Sequence, residues 1–65
     1  MHWYVKVFME DGDWYACVAE AKTPRMAEYL ACKHYRDDGH EVEFASAEIF
    51  NTFEHGDQSD YEILT

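Results

Sequence analysis

Trp3-Tyr4-Val5-Lys6-Val7-Phe8-Met9, then Glu10-Asp11-Gly12-Asp13, then Trp14-Tyr15-Ala16-Cys17-Val18-Ala19-Glu20: this opening stretch decides the fold. Two runs rich in β-branched and aromatic residues flank an Asp-Gly pair, the strongest short-range signal for a β-hairpin. Side chains of a strand alternate between its two faces. Trp3, Val5, Val7 and Met9 therefore share one face of the first strand, and Tyr4, Lys6 and Phe8 the other. In the returning strand Trp14, Ala16 and Val18 alternate against Tyr15, Cys17 and Ala19.

Downstream, Thr23-Pro24 opens a helix, with Thr23 as N-cap and Pro24 at the first helical position. The helix is expected to run to about Arg36. At 100° per residue, Met26, Ala27, Leu30, Ala31, His34 and Tyr35 form its apolar arc. Arg25, Glu28, Lys33 and Arg36 fall outside that arc, and Asp37-Asp38-Gly39 ends the helix. Glu41-Val42-Glu43-Phe44 then alternates as a strand. A bulge near Ala45-Ser46 would keep Val42, Phe44, Ala47 and Ile49 inward and Glu41, Glu43 and Glu48 outward. A helix over 42–53, with Val42, Ala45, Ile49 and Phe53 on one stripe, is the alternative; the strand is preferred. Asn51 to Asp60 reads as a polar turn region and Tyr61 to Leu64 as a short last strand. The expectation is an α+β fold in ββαββ order, one domain over residues 1–65, with one helix packed on one face of a small antiparallel sheet.

Composition bounds the function. A chain of 65 residues buries only ~60% of the surface its unfolded form exposes, which makes its stability marginal. Two Trp, five Tyr and four Phe are enough to fill so small a core. No stretch has the ~20 apolar residues of a membrane span, and Met1-His2-Trp3-Tyr4 lacks the basic start of a signal peptide. A cytoplasmic protein is expected, with Cys17 and Cys32 read as free thiols. They could pair between the second strand and the helix, but Cys32 falls on the outer side of the helical wheel. Fourteen acids against five bases give a net charge of −9, which argues against direct binding of nucleic acid or of anionic membranes. Residues 1–36 hold five acids (Glu10, Asp11, Asp13, Glu20, Glu28) and all five bases. Residues 37–65 hold nine acids and no Lys or Arg, so the whole excess lies in the second half.

That half supplies the candidate site: Asp37, Asp38, Glu41, Glu43, Glu48, Glu54, Asp57, Asp60 and Glu62. Alternate residues of a strand lie about 6.7 Å apart, a spacing comparable to successive phosphates, so Glu41, Glu43 and Glu48 are expected to form an anionic row. Such a surface suits the basic groove of a nucleic-acid-binding protein, while solubility alone needs far less charge. His40, Glu54, His55 and Asp57 are metal-capable, but their spacing matches no metal motif, and they read as surface residues; no metal or cofactor is expected. His34, within the apolar arc, reads as a packing residue. Catalysis would need a pocket that excludes water and shifts a pKa, and one helix on a small sheet leaves little room for it. One aromatic set, Trp3/Trp14 or Tyr4/Phe8/Tyr15, is left on the face opposite the helix, where it would serve a partner or a dimer.

The small size, the ββαββ pattern and the acidic second half together resemble the small inhibitors encoded by phages and mobile elements, anti-CRISPR proteins and other DNA mimics among them. The resemblance is carried by Glu41, Glu43, Glu48, Glu54, Asp57, Asp60 and Glu62 together with the length, and covers the whole chain loosely. It implies a stoichiometric inhibitor in a bacterial host, a monomer or weak dimer, docking on a basic surface of a nucleic-acid-guided effector such as a CRISPR effector subunit. The alternative is a small accessory module that dimerises or docks through its aromatic sheet face.

Overall fold

A computed structural model describes residues 1–65 and shows an α+β domain. The hairpin forms as β1 (His2–Met9) and β2 (Trp14–Glu20), paired so that Val5 faces Cys17 and Phe8 faces Trp14. Its turn is locked by Asp11, whose Oδ1 accepts the Asp13 amide at 2.9 Å, and by Gly12 at φ 97°, a conformation that disfavours any residue with a Cβ. The helix α1 (Pro24–Asp37) starts at its expected cap: Thr23 Oγ1 accepts the Met26 amide at 3.2 Å. Gly39 at φ 95° turns the chain out of it, with its amide bonded to the Arg36 carbonyl at 3.0 Å.

The strand reading of the next segment holds, as β3 (Val42–Ile49) pairs antiparallel with β1. The bulge lies earlier than expected. Phe8 faces Phe44 and Met9 faces Val42, so Glu43 is the extra residue. The earlier bulge turns Phe44 to the face opposite the helix, with Ser46 and Glu48, while Ala45, Ala47 and Ile49 share the helix side with Val42; Ala47, Ile49 and Glu48 lie on the faces expected. The polar segment that follows holds a one-turn helix, α2 (Thr52–His55), and a 3-10 turn (Gln58–Asp60). The last strand, β4 (Ile63–Leu64), runs parallel to β2. The sheet order is β3-β1-β2-β4, mixed and not wholly antiparallel as the ββαββ pattern suggested.

The core lies between α1 and the sheet. Trp3, Val5, Val7 and Met9 from β1 meet Cys17 and Ala19 from β2, Val42 from β3, and Ala27 and Ala31 from α1. Alanines on the helix, backed by Ala45 and Ala47 on β3, let the two layers approach closely. The Trp3 indole is satisfied by donating to the Ala21 carbonyl at 2.9 Å, so the core holds no orphaned polar side chain. Glu28, placed outside the apolar arc by its helical phase, does not simply point to water. Its Oε2 accepts the Ala47 amide at 3.1 Å and blocks part of the exposed β3 edge.

Candidate functional site

The face opposite α1 carries Tyr4, Lys6 and Phe8 from β1, Trp14, Ala16 and Val18 from β2, and Phe44, Ser46 and Glu48 from β3. The two aromatic sets expected from alternation are thus regrouped. Pairing of Phe8 with Trp14 puts that tryptophan beside Phe8, and pairing of Val7 with Tyr15 puts Tyr15 on the helix side with Trp3.

Half of this face is covered. The His55 ring stacks on Tyr4 with centroids 4.0 Å apart and planes 9° from parallel, and Tyr61 meets Tyr4 edge-on at 5.6 Å. Phe50 packs against both His55 and Tyr61, and the Tyr61 hydroxyl donates to the His55 carbonyl. Burial under this lid is the main reason the Tyr4 hydroxyl titrates above its ordinary value, with Tyr61 and Glu48 adding to it.

The other half is bare. Phe8 and Phe44 stack at 4.7 Å, and the Lys6 ammonium sits 5.1 Å from the Trp14 ring centroid, a cation–π contact. Trp14 and Phe44 remain 52% and 50% exposed, enough for a partner to bury. This patch lies at the end of the sheet where the hairpin turns. The chain folds three segments to that end. The Glu10 amide bonds the Glu41 carbonyl at 2.9 Å, joining the turn to the approach of β3. Tyr15 packs against Tyr35 at 5.5 Å and His40 at 5.2 Å, joining the start of β2 to the end of α1. Seven carboxylates therefore gather there: Glu10, Asp11 and Asp13 from the turn, Asp37 and Asp38 from the helix end, Glu41 and Glu43 from the start of β3. Lys33 binds Asp37 at 2.8 Å, and His34 and Arg36 are the basic residues of the last helical turn. The carbonyl end of α1 adds its own negative potential.

Of the residues proposed from sequence, Asp37, Asp38, Glu41 and Glu43 belong to this acidic end. Glu48 faces away from the helix as expected, but Glu41 precedes β3 and Glu43 is the bulged residue, so the even row along one strand does not form. Glu48 lies instead beside the lid, its Oε2 3.6 Å from His55 Nε2. Glu54 belongs to α2, Asp57 caps the 3-10 turn through the Ser59 amide, and Asp60 ends that turn. Glu62 reaches His34 at 3.1 Å. Sequence reasoning missed Glu10, Asp11 and Asp13, whose segment is neutral overall only when counted along the chain. The Asp-Gly turn that fixes the hairpin register was the signal that could have placed them.

Glu48, Glu54 and His55 bring ligand-capable atoms within 4.8 Å of one another. Yet His55 Nδ1 accepts the Asn51 amide at 2.9 Å, which leaves the neutral ring its proton on Nε2, facing Glu48. Binding a cation through Nε2 would require the ring to lose that proton, so the trio is an acid–imidazole contact in this arrangement. Cys17 and Cys32 are both free. Burial pushes the Cys17 thiol up to about 11, with Glu62 adding to the rise and the Tyr35 hydrogen bond opposing it, the reverse of an activated nucleophile. No helix is long and apolar enough to cross a membrane.

Comparison with known proteins gives no matching family model, no matching characterised protein and no matching solved structure.

Proposed function

We propose that the protein is a non-enzymatic inhibitor, of the anti-CRISPR kind, that docks on the basic nucleic-acid-binding surface of another protein and excludes nucleic acid from it. The observation that carries this reading is the convergence of the hairpin turn, the end of α1 and the start of β3 at the end of the sheet whose face opposite α1 bears the bare aromatic patch. Two like charges about 7 Å apart repel by roughly 0.6 kcal/mol even in water. Gathering seven carboxylates at one end therefore works against a marginally stable domain unless a cationic partner relieves it. Phe8, Trp14 and Phe44 supply the apolar centre of the footprint and the carboxylates its rim, the usual anatomy of a protein interface. Asp37, Asp38, Glu41 and Glu43 keep their proposed partner-binding role, joined by Glu10 and Asp13.

The test is displacement of labelled target duplex from purified, guide-loaded CRISPR effectors at 50 and 300 mM salt. Stoichiometric displacement that weakens steeply with salt is expected. Failure to displace DNA from any effector at low salt rejects the reading. The bare Trp14 and Phe44 also favour a second reading, an assembly module that pairs through this patch. A salt-resistant dimer in sedimentation equilibrium, dissociated by Trp14→Ala, would select that one.

A further inference from the structure

Phe53 is 99% exposed, the extreme among the large apolar side chains. Exposed apolar residues are ordinary on loops, but the element that carries this one is held at every point. A four-residue helix does not persist alone in water. Here Asn51 Oδ1 accepts the Phe53 amide at 2.8 Å, and the Asn51 carbonyl accepts the Glu54 and His55 amides at 3.1 and 2.8 Å. The Asn51 amide in turn donates to His55 Nδ1, and the His55 ring is clamped on Tyr4. The same lid that buries Tyr4 thus presents an aromatic ring, with roughly 150–250 Å² of apolar surface, to solvent from a fixed stretch of backbone.

The surroundings of that ring are acidic. Glu48 and Glu54 lie by His55, Asp57 and Asp60 follow in the chain, and residues 37–65 contain no Lys or Arg. Asp57 is held below its ordinary carboxyl value by the Ser59 amide and hydroxyl, so it stays charged well into the acid range. A second copy of the chain seated here would set these carboxylates against their own kind. A cationic protein surface would not.

We infer that Phe53 is a second apolar anchor of the docking face, shaped to enter an apolar pocket rimmed by Lys or Arg on the partner. This deepens the proposed docking on a basic surface and rests on that reading. The partner then engages two stations: the Phe8–Trp14–Phe44 patch at the hairpin end of the sheet and Phe53 on the lid that covers Tyr4. A backbone already fixed before binding leaves only the ring's own rotamer to be ordered by the partner.

The chain labelled with 4-fluorophenylalanine gives a resonance for each of its four Phe residues. It is titrated with two synthetic peptides of equal charge, one an amphipathic Arg/Leu helix that offers an apolar stripe between arginines, the other an Arg/Ser control. The expected result is a saturable shift of the Phe53 resonance with the Arg/Leu peptide only, beside shifts at Phe8 and Phe44. Phe53→Ala should weaken Arg/Leu binding on the order of tenfold and leave Arg/Ser binding unchanged. Movement of Phe8 and Phe44 with none at Phe53 overturns this inference and leaves the docking reading standing. Absence of binding by either peptide at low salt overturns both. A Phe53 shift that depends on protein concentration alone makes a second copy the occupant and overturns the cationic-partner assignment.

Discussion

The two halves of the sheet face opposite α1 are built from the same kinds of residue and end differently. Around Tyr4, three rings from the segment after β3 close over the sheet, and the backbone of that segment is tied down by Asn51 and Tyr61. Around Phe8, a second stack forms between neighbouring strands, but nothing lies on top of it. Aromatic content alone does not separate stability from binding. Whether a ring has a partner above it does. The covered half belongs to the fold, and the bare half, at the end of the sheet where the carboxylates of three segments lie, is available to something else.

The sharpest way to break this division is to compare truncations across it. Met9→Ala, on the helix side of the sheet, should cost about 2–5 kcal/mol in urea unfolding. A domain of this length holds roughly 3–10 kcal/mol in all, so the variant is expected to lose about half of its stability. His55→Ala, which opens the lid and strips the Asn51 amide of its acceptor, should cost about 1–3 kcal/mol. Phe44→Ala, in the bare half, should change stability by less than about 1 kcal/mol while weakening partner binding. If Phe44→Ala destabilises as much as His55→Ala, the bare half is structural and the division fails.

Alkaline titration probes the helix side. The Cys17 thiol is raised in the folded protein, chiefly by burial, from 9.0 to about 11. Its neutral form is the one the fold retains. The stability it contributes is therefore fully present below pH 9 and is lost as pH rises toward about 11. The Tyr35 hydroxyl, raised from 10.0 to about 12 mainly by burial, extends that loss upward. Circular dichroism between pH 8 and 12 should show unfolding in this window, and Cys17→Ala should soften its first part. The smallest effect belongs to the acidic end. Relief of repulsion should make added salt, or Asp38→Asn, stabilising by a few tenths of a kcal/mol, read as a small rise in Tm.

How much of this was legible in the sequence follows the range of the forces involved. The hairpin and α1 are specified locally, by the Asp-Gly turn, the alternation on each side of it, and the Thr23-Pro24 cap, and they form where those signals place them. The bulge was misplaced because alternation around Glu43 admits two phases, and only pairing of Met9 with Val42 selects one. The four-residue α2 has no local signal strong enough to stand out, whereas the last strand, read over Tyr61 to Leu64, forms at Ile63–Leu64 but pairs in parallel with β2. Docking onto Tyr4 makes α2, and docking onto β2 sets the direction of β4. The candidate site was half visible. Counting charge along the chain found Asp37, Asp38, Glu41 and Glu43, but only the folded hairpin brings Glu10, Asp11 and Asp13 beside them.

The central claim is that the acidic end around Phe8, Trp14 and Phe44 is the docking surface. Its most direct test is a pair of charge-reversed variants in the DNA-displacement assay: Glu10→Lys/Glu43→Lys at that end, and Glu20→Lys/Glu62→Lys away from both that end and Phe53. Both sets change net charge equally, and both avoid Asp11, which locks the turn. The first variant, folded by circular dichroism, should lose displacement of duplex from the effector while the second keeps most of it. Equal loss in both would reduce the effect to net charge, and full activity in the first would contradict the assigned surface outright.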